Sequence, residues 1–182
     1  MRNLLSDRRL RAMYAGGRAG PGARWYARLW AAAFGLGLSP RRWVTLEVAG
    51  RRTGRVARFP LGMADWGGRW YLVSMLGEDC NWVRNVRAAS GRAVLRRRRA
   101  VACQLAEVPA AERPEIIRRY LQKVPGGRPH IPVSKDAPLP EFAAISPRYP
   151  VFRVIPLDGR LPGPGRARGA GTTTAATAGG EK

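Results

Sequence analysis

The chain predicts an α+β fold built on an antiparallel β-barrel, and three observations carry that expectation. Short runs of alternating apolar and polar residues recur through its middle, joined by glycine turns rather than long crossovers. Amphipathic helices interrupt them singly, so the order reads β-β-β-α-β-β-α-β instead of a repeated βαβ unit. No G-x-G-x-x-G segment follows a strand, which argues against a Rossmann fold.

Residues 1–24 are polar and rich in arginine and glycine. Trp25 to Leu38 (WYARLWAAAFGLGL) is apolar, flanked by Arg24 and Arg41-Arg42, and shorter than the ~20 residues a bilayer span needs. Trp25, Leu29, Trp30 and Phe34 recur at helical spacing. Such a helix either packs on the domain or makes peripheral membrane contact, its tryptophans at headgroup depth and its arginines on anionic lipid.

From Trp43 the pattern turns to β. Trp43 to Val48 alternates, Gly50 to Gly54 turns, and Arg55 to Leu61 returns as a second strand. Asp65-Trp66-Gly67-Gly68 reads as a hairpin turn, with Arg69 to Met75 as the third strand. A helix over Asp79 to Ala89 follows, then strands over Arg92 to Arg98 and Ala100 to Glu107, with Arg96 to Arg99 as an exposed tip. Ile116, Ile117, Tyr120, Leu121 and Val124 mark an amphipathic helix over Ala111 to Lys123, stopped by Pro125-Gly126-Gly127. A proline-rich loop, a short helix over Glu141 to Ile145 and a last strand over Val151 to Leu157 complete the domain. Beyond Asp158, glycine, proline, arginine and the run TTTAATAGG offer nothing to bury. The expected division is an extension over 1–40, one domain over 41–158 and a low-complexity, disordered tail over 159–182.

At 182 residues the chain has room for one core. Its formal charge of +21 attracts anions of every kind, but lysine supplies little of it. Arginine predominates alongside alanine, glycine and proline, as GC-rich coding favours, so charge alone names no partner. Two cysteines and one histidine cannot make a four-ligand zinc site. With no secretory signal read at the start, a reduced cytoplasmic compartment is expected. The arginines are scattered through strands, turns and helices without the interleaved aromatics of an RNA-binding sheet, which disfavours nucleic acid.

Two segments carry candidate chemistry. Gly50-Arg51-Arg52-Thr53-Gly54 offers two guanidiniums, a hydroxyl and glycine-flanked amides, the donor set a phosphate or carboxylate needs. Taken alone, a basic turn is more often a solvated hairpin. Ser74 to Ala88 (SMLGEDCNWVRNVRA) runs a loop into a helix bearing Asn81, Trp82, Arg84, Asn85 and Arg87. Trp82, Asn85 and an arginine there could offer an aromatic plate, an amide and a cation to a planar ligand, and a helix start favours anions. Equally, Trp82 fills a core and the arginines line a surface.

Together these segments resemble the deazaflavin-dependent nitroreductase family. The resemblance rests on Gly50, Arg51, Arg52, Thr53, Gly54, Pro60, Leu61, Ser74, Gly77, Trp82, Asn85 and Arg87, in order and at compatible spacing. It implies a split β-barrel, FMN-binding-protein-like, of about six antiparallel strands with flanking helices. It further implies binding of the 8-hydroxy-5-deazaflavin coenzyme (F420), its phosphate and glutamyl tail on Arg51, Arg52, Thr53 and Gly54. Pro60, Ser74, Met75, Gly77, Asn81, Trp82, Asn85 and Arg87 would complete the site, with the segment from Ser74 to Trp82 along the ring. The implied reaction is hydride transfer to a quinone, a nitroaromatic or another electron-poor small molecule. Tyr71, Tyr120, Tyr149 and His130 are candidate proton donors, though each is more readily structural. The chain departs from the family pattern at Met75-Leu76, where Lys-Gly is common, and at Gly62, where an aromatic is common. A binder of deazaflavin or flavin without turnover is the alternative; an anionic-membrane or nucleic-acid module is a more distant one.

Overall fold

The computed structural model describes residues 42–157 and Leu161, so the apolar stretch over 25–38 and nearly all of the tail lie outside the described residues. Six strands close into a barrel: β1 (Trp43–Ala49), β2 (Val56–Trp66), β3 (Arg69–Val73), β4 (Arg92–Arg97), β5 (Arg99–Glu107) and β6 (Val151–Pro156). Their order around the barrel is β1-β2-β3-β6-β5-β4, and every pairing is antiparallel. Among the described residues three α-helices accompany them: α1 (Asn81–Ala88), α2 (Pro114–Lys123) and α3 (Leu139–Ile145).

The period-two pattern explains the register. Leu46 stands opposite Phe59 on one side and Leu95 on the other, and Leu72 opposite Phe152. Facing residues share a side of the sheet, so these side chains enter the barrel together. With Val44, Met63, Trp70, Cys103, Leu105 and Val154 they fill its interior. Closure removes the open edges that would otherwise pair with other chains.

Alternation also gives β2 and β3 an outer apolar face, formed by Ala64, Tyr71 and Val73. Ile116, Ile117, Tyr120 and Leu121 of α2 cover it, joined by Phe142 of α3, and make a second core outside the barrel. Gly62 belongs to that contact. A Cβ there would lie 2.8 Å from Val124 and 3.3 Å from Trp43, so only glycine lets the end of α2 settle on β2. The Gly62 departure is thus a packing matter, compensated by Val124.

Two expectations shift. β2 runs to Trp66, so Asp65 and Trp66 belong to the strand and only Gly67-Gly68 make the turn. The α2 helix begins at Pro114 behind a 3-10 turn over Ala110–Glu112, because proline is well placed in a first helical turn but not inside a helix. Among the described residues no helix is long and apolar enough to cross a membrane.

Charged latches hold the elements. Asp65 is buried; it accepts from Arg119 Nη2 at 2.7 Å and from Arg42 Nη1 at 3.3 Å. Glu47 accepts from Arg96 Nε and Arg58 Nε, each at 2.9 Å, across three neighbouring strands. Arg96 holds the Glu47 carboxyl below the usual range, with burial opposing and Arg58 assisting. Burial pushes Asp65 up, but Arg119 and Arg42 outweigh it and the net displacement is downward.

Folded-state pKa values below the unfolded ones mean these carboxylates stabilise fully above their unfolded values. That stability is lost as pH falls through the folded values. Melting temperature will therefore hold above about pH 5 and drop below about pH 4. Asp65→Asn will cost about 1–3 kcal/mol, read from the denaturant midpoint, and will flatten the acid limb of the melting curve. An unchanged midpoint would show that the Asp65 latch contributes nothing.

Candidate functional site

α1 joins the end of β3 to the start of β4 and carries two unlike faces. Trp82, Val83 and Val86 enter the barrel core, where Trp82 packs edge-on against Phe152 with ring centroids 5.4 Å apart. The other face presents Asn81 and Asn85 to the β1–β2 turn. Asn85 Oδ1 accepts from the Arg51 backbone N–H at 3.3 Å and from Arg51 Nη1 at 2.9 Å. Asn81 Oδ1 accepts from Nη1 and Nη2 of the same guanidinium, both at 3.4 Å. A helix that plugs the barrel therefore also fixes the basic turn.

The turn is tight in itself. Gly50 N–H donates to Arg55 O at 2.9 Å, and Gly54 N–H to Gly50 O at 2.8 Å. Gly54 takes a φ of +66°, a left-handed conformation that side-chain-bearing residues adopt at a cost. Arg52, Thr53 and Arg55 stand exposed on this frame, and among the described residues no ion pair joins Arg52 or Arg55 to a carboxylate. Arg51 is thus largely engaged in holding the turn, while Arg52 and Arg55 are available. Arg55 was hidden in the sequence as the first residue of a strand; its position beside Gly54 was the available signal.

The loop from β3 to α1 lies at the same end of the barrel. Ser74 Oγ donates to Gly77 O at 2.8 Å and folds this loop back on itself. Cys80 precedes the first turn of α1. Burial raises its thiol above the usual range, against the pull of the helix-start amides and Ser74, so the group stays a thiol. Met75 Sδ receives the Tyr120 hydroxyl at 3.7 Å, linking the loop to α2. Burial pushes the Tyr120 and Tyr149 hydroxyls up, and Tyr149 donates to His130 O at 3.3 Å.

Other expected residues lie apart from this cluster. Pro60 sits in the middle of β2 opposite Thr45. Trp82 is core. Arg87 donates to Glu107 at 2.9 and 2.7 Å and to Glu78 at 2.6 Å. Arg87 holds Glu107 below the usual carboxylate range, and Arg113 adds to that pull. Buried Arg113 also donates to Val108 O and Ser146 O, so this charge cluster ties α1, β5 and the segment after α3 together.

Asn85→Ala will cost about 1 kcal/mol, since one buried acceptor with two donors is lost. It will also speed hydrogen exchange at the Arg51 amide. Unchanged exchange there would show that Asn85 does not restrain the turn.

Comparison with known proteins adds a family. None of the curated proteins matches the sequence. A solved structure described as a domain-swapped dimer is 16% identical, covering 72% of this chain and 94% of its own, with a TM-score of 0.47. An F420-H2-dependent reductase is 20% identical, covering 63% and 94%, with a TM-score of 0.44. A further structure described as an F420 reductase is 14% identical, covering 67% and 91%, with a TM-score of 0.42. The family model is the firmer finding, since it matches residues 23–136 under the description F420H2-dependent quinone reductase. With more than half its length so matched, the chain belongs to that family and is a deazaflavin-dependent reductase that uses the F420 coenzyme.

Proposed function

We propose that the hydride acceptor is a quinone or an electron-poor nitroaromatic, and that the β1–β2 turn holds the anionic tail of the coenzyme. The observation that carries this reading is the pinned turn: Asn85 and Asn81 fix Arg51, which leaves Arg52, Thr53 and Arg55 exposed. A phosphate and glutamyl tail asks for such donors, charged and held in place before binding. The residues present fit that demand.

Bound here, reduced deazaflavin supplies a hydride from its C5 carbon. The protein's own share is placement and exclusion of water. The loop over Ser74–Cys80, at the same end of the barrel as the turn, would supply a wall through Met75 and Gly77, with buried Ser74 bracing it from within and Tyr120 bonded to Met75 from behind. Tyr120 and Tyr149 stay neutral at any ordinary pH, and Tyr149 spends its hydrogen on a backbone carbonyl. Neither is tuned as an acid, so solvent delivers the proton that completes the reduced product. The Met75-Leu76 departure removes a cation common in the family from this wall, which suits a neutral, apolar acceptor such as a quinone.

Fluorescence titration tests the tail site. Arg52→Ala and Arg55→Ala will each weaken coenzyme binding about tenfold or more without lowering the melting temperature, as loss of a charge-assisted contact predicts. Wild-type affinity in both variants would refute the turn as the tail site. A second assay follows oxidation of the reduced coenzyme by menadione and by a nitroaromatic, against a control without protein. Coenzyme binding without turnover of either acceptor would refute this substrate class and favour a carrier role.

A further inference from the structure

The Ser74–Cys80 loop leaves β3 and enters α1, and it is held from two sides. On one side it leans on residues 146–150, which follow α3. Ser74 N–H donates to Pro150 O at 2.9 Å, and a Cβ at Gly77 would lie 3.3 Å from Arg148 O. Gly77 takes a φ of +82°, so glycine both turns the loop and permits that approach. On the other side the loop is held by charge. Glu78 Oε2 accepts from Arg87 Nη1, in the last turn of α1, at 2.6 Å.

Arg87 is itself fixed. Its Nε and Nη2 donate to the two oxygens of Glu107 at 2.9 and 2.7 Å, a bidentate pair that sets the plane of the guanidinium. Glu107 Oε1 also accepts from Arg113 Nη2 at 3.2 Å. Arg113 is 7% exposed and donates in turn to Val108 O at 2.8 Å and Ser146 O at 3.2 Å. The same nitrogen that reaches Ser146 lies 3.5 Å from Pro147 O and from Tyr149 O. The contacts therefore close on themselves. Arg113 grips the segment on which the loop leans, Arg87 grips the loop, and Glu107 joins the two.

We propose that Arg87, acting through Glu78, is a positioning residue for hydride transfer: it sets how the Ser74–Cys80 loop stands against the deazaflavin ring. This rests on the reading above in which that loop supplies a wall for the ring. Each nitrogen of the Arg87 guanidinium already donates to a carboxylate, and the cluster sets two cations against two carboxylates, so it offers an anionic tail no net charge. The Arg87 and Glu78 side chains are 39% and 45% exposed, so their pair adds little to the stability of the fold. Its effect falls on the loop. The neighbouring Asp79–Arg84 pair spans five residues and ties the loop only to α1, whereas the Glu78 pair ties it across to β5. Hydride transfer needs reacting atoms in near contact, and a displacement of about 1 Å can slow a reaction about a hundredfold.

The test uses the full chain and two probes: the whole coenzyme, and the deazaflavin ring stripped of phosphate and glutamates. Affinities come from fluorescence titration, and hydride transfer from the single-turnover oxidation of reduced coenzyme by menadione. Glu78→Gln will weaken both probes by one common factor of about three to five, with the melting temperature unchanged. It will slow hydride transfer about tenfold. Arg87→Met will do the same to binding and transfer, and the double variant will be no worse than the worse single, since the two act through one contact. Arg52→Ala will weaken the whole coenzyme only. The control Glu115→Gln opens a comparable ion pair with Arg118 on α2 and will leave binding and transfer as they are. Gly77→Ala disturbs the loop directly and separates the two possible failures. If it impairs ring binding while Glu78→Gln and Arg87→Met do not, the positioning role is overturned and the wall stands. If none of the three changes binding of the stripped ring, the loop is no wall and both readings fall. A loss confined to the whole coenzyme would place Arg87 at the tail and overturn the proposal as well. The stripped-ring affinities need no acceptor, so these outcomes do not depend on the quinone assignment.

Discussion

A six-stranded barrel this narrow must be filled from its own strands and stoppered at its ends, and α1 is the stopper at the functional end. Trp82, Val83 and Val86 complete the interior that Leu46, Phe59, Leu95 and Phe152 begin. Because the helix is held by that packing, Asn81 and Asn85 on its polar side are held too. The Arg51 turn inherits its position from them. Core packing and site geometry are therefore one constraint: whatever loosens the plug also loosens the donors.

This arrangement divides labour among residues that look equivalent in the sequence. Arg51, Arg52 and Arg55 are cations of one turn and all three are exposed, yet it is Arg51 that two asparagines tie down. Arg87, two residues beyond Asn85, faces away and is neutralised by Glu78 and Glu107. Opposing carboxylates thus withdraw some arginines from ligand binding and leave others available. A formal charge of +21 by itself draws no such distinction.

The second core gives the same lesson from the other face of the sheet. Tyr71, Val73 and Ala64 point outward, and α2 covers them at the distance that Gly62 permits. Tyr120, carried on that helix, reaches Met75 in the loop beside the basic turn. Helix placement behind the sheet is thereby coupled to the wall of the candidate site in front of it. A residue that departs from the family pattern, Gly62, serves this placement.

Strand alternation, glycine turns and the spacing of Ile116, Ile117, Tyr120 and Leu121 were sufficient for the sequence to determine six strands, the helices between them and the barrel class. Those patterns record which side of each element is buried, and burial is local information. The ordered set from Gly50 to Arg87 likewise determined the family. Which side chains meet was decided only by tertiary structure. The Arg51–Asn85 bond joins residues 34 apart, and the Asp65–Arg119 latch residues 54 apart. Periodicity could place Trp82 and Asn85 on one helix but could not say that one would plug the barrel while the other held a turn. That choice depends on closure of the barrel around the helix, a long-range condition that no local run of residues contains.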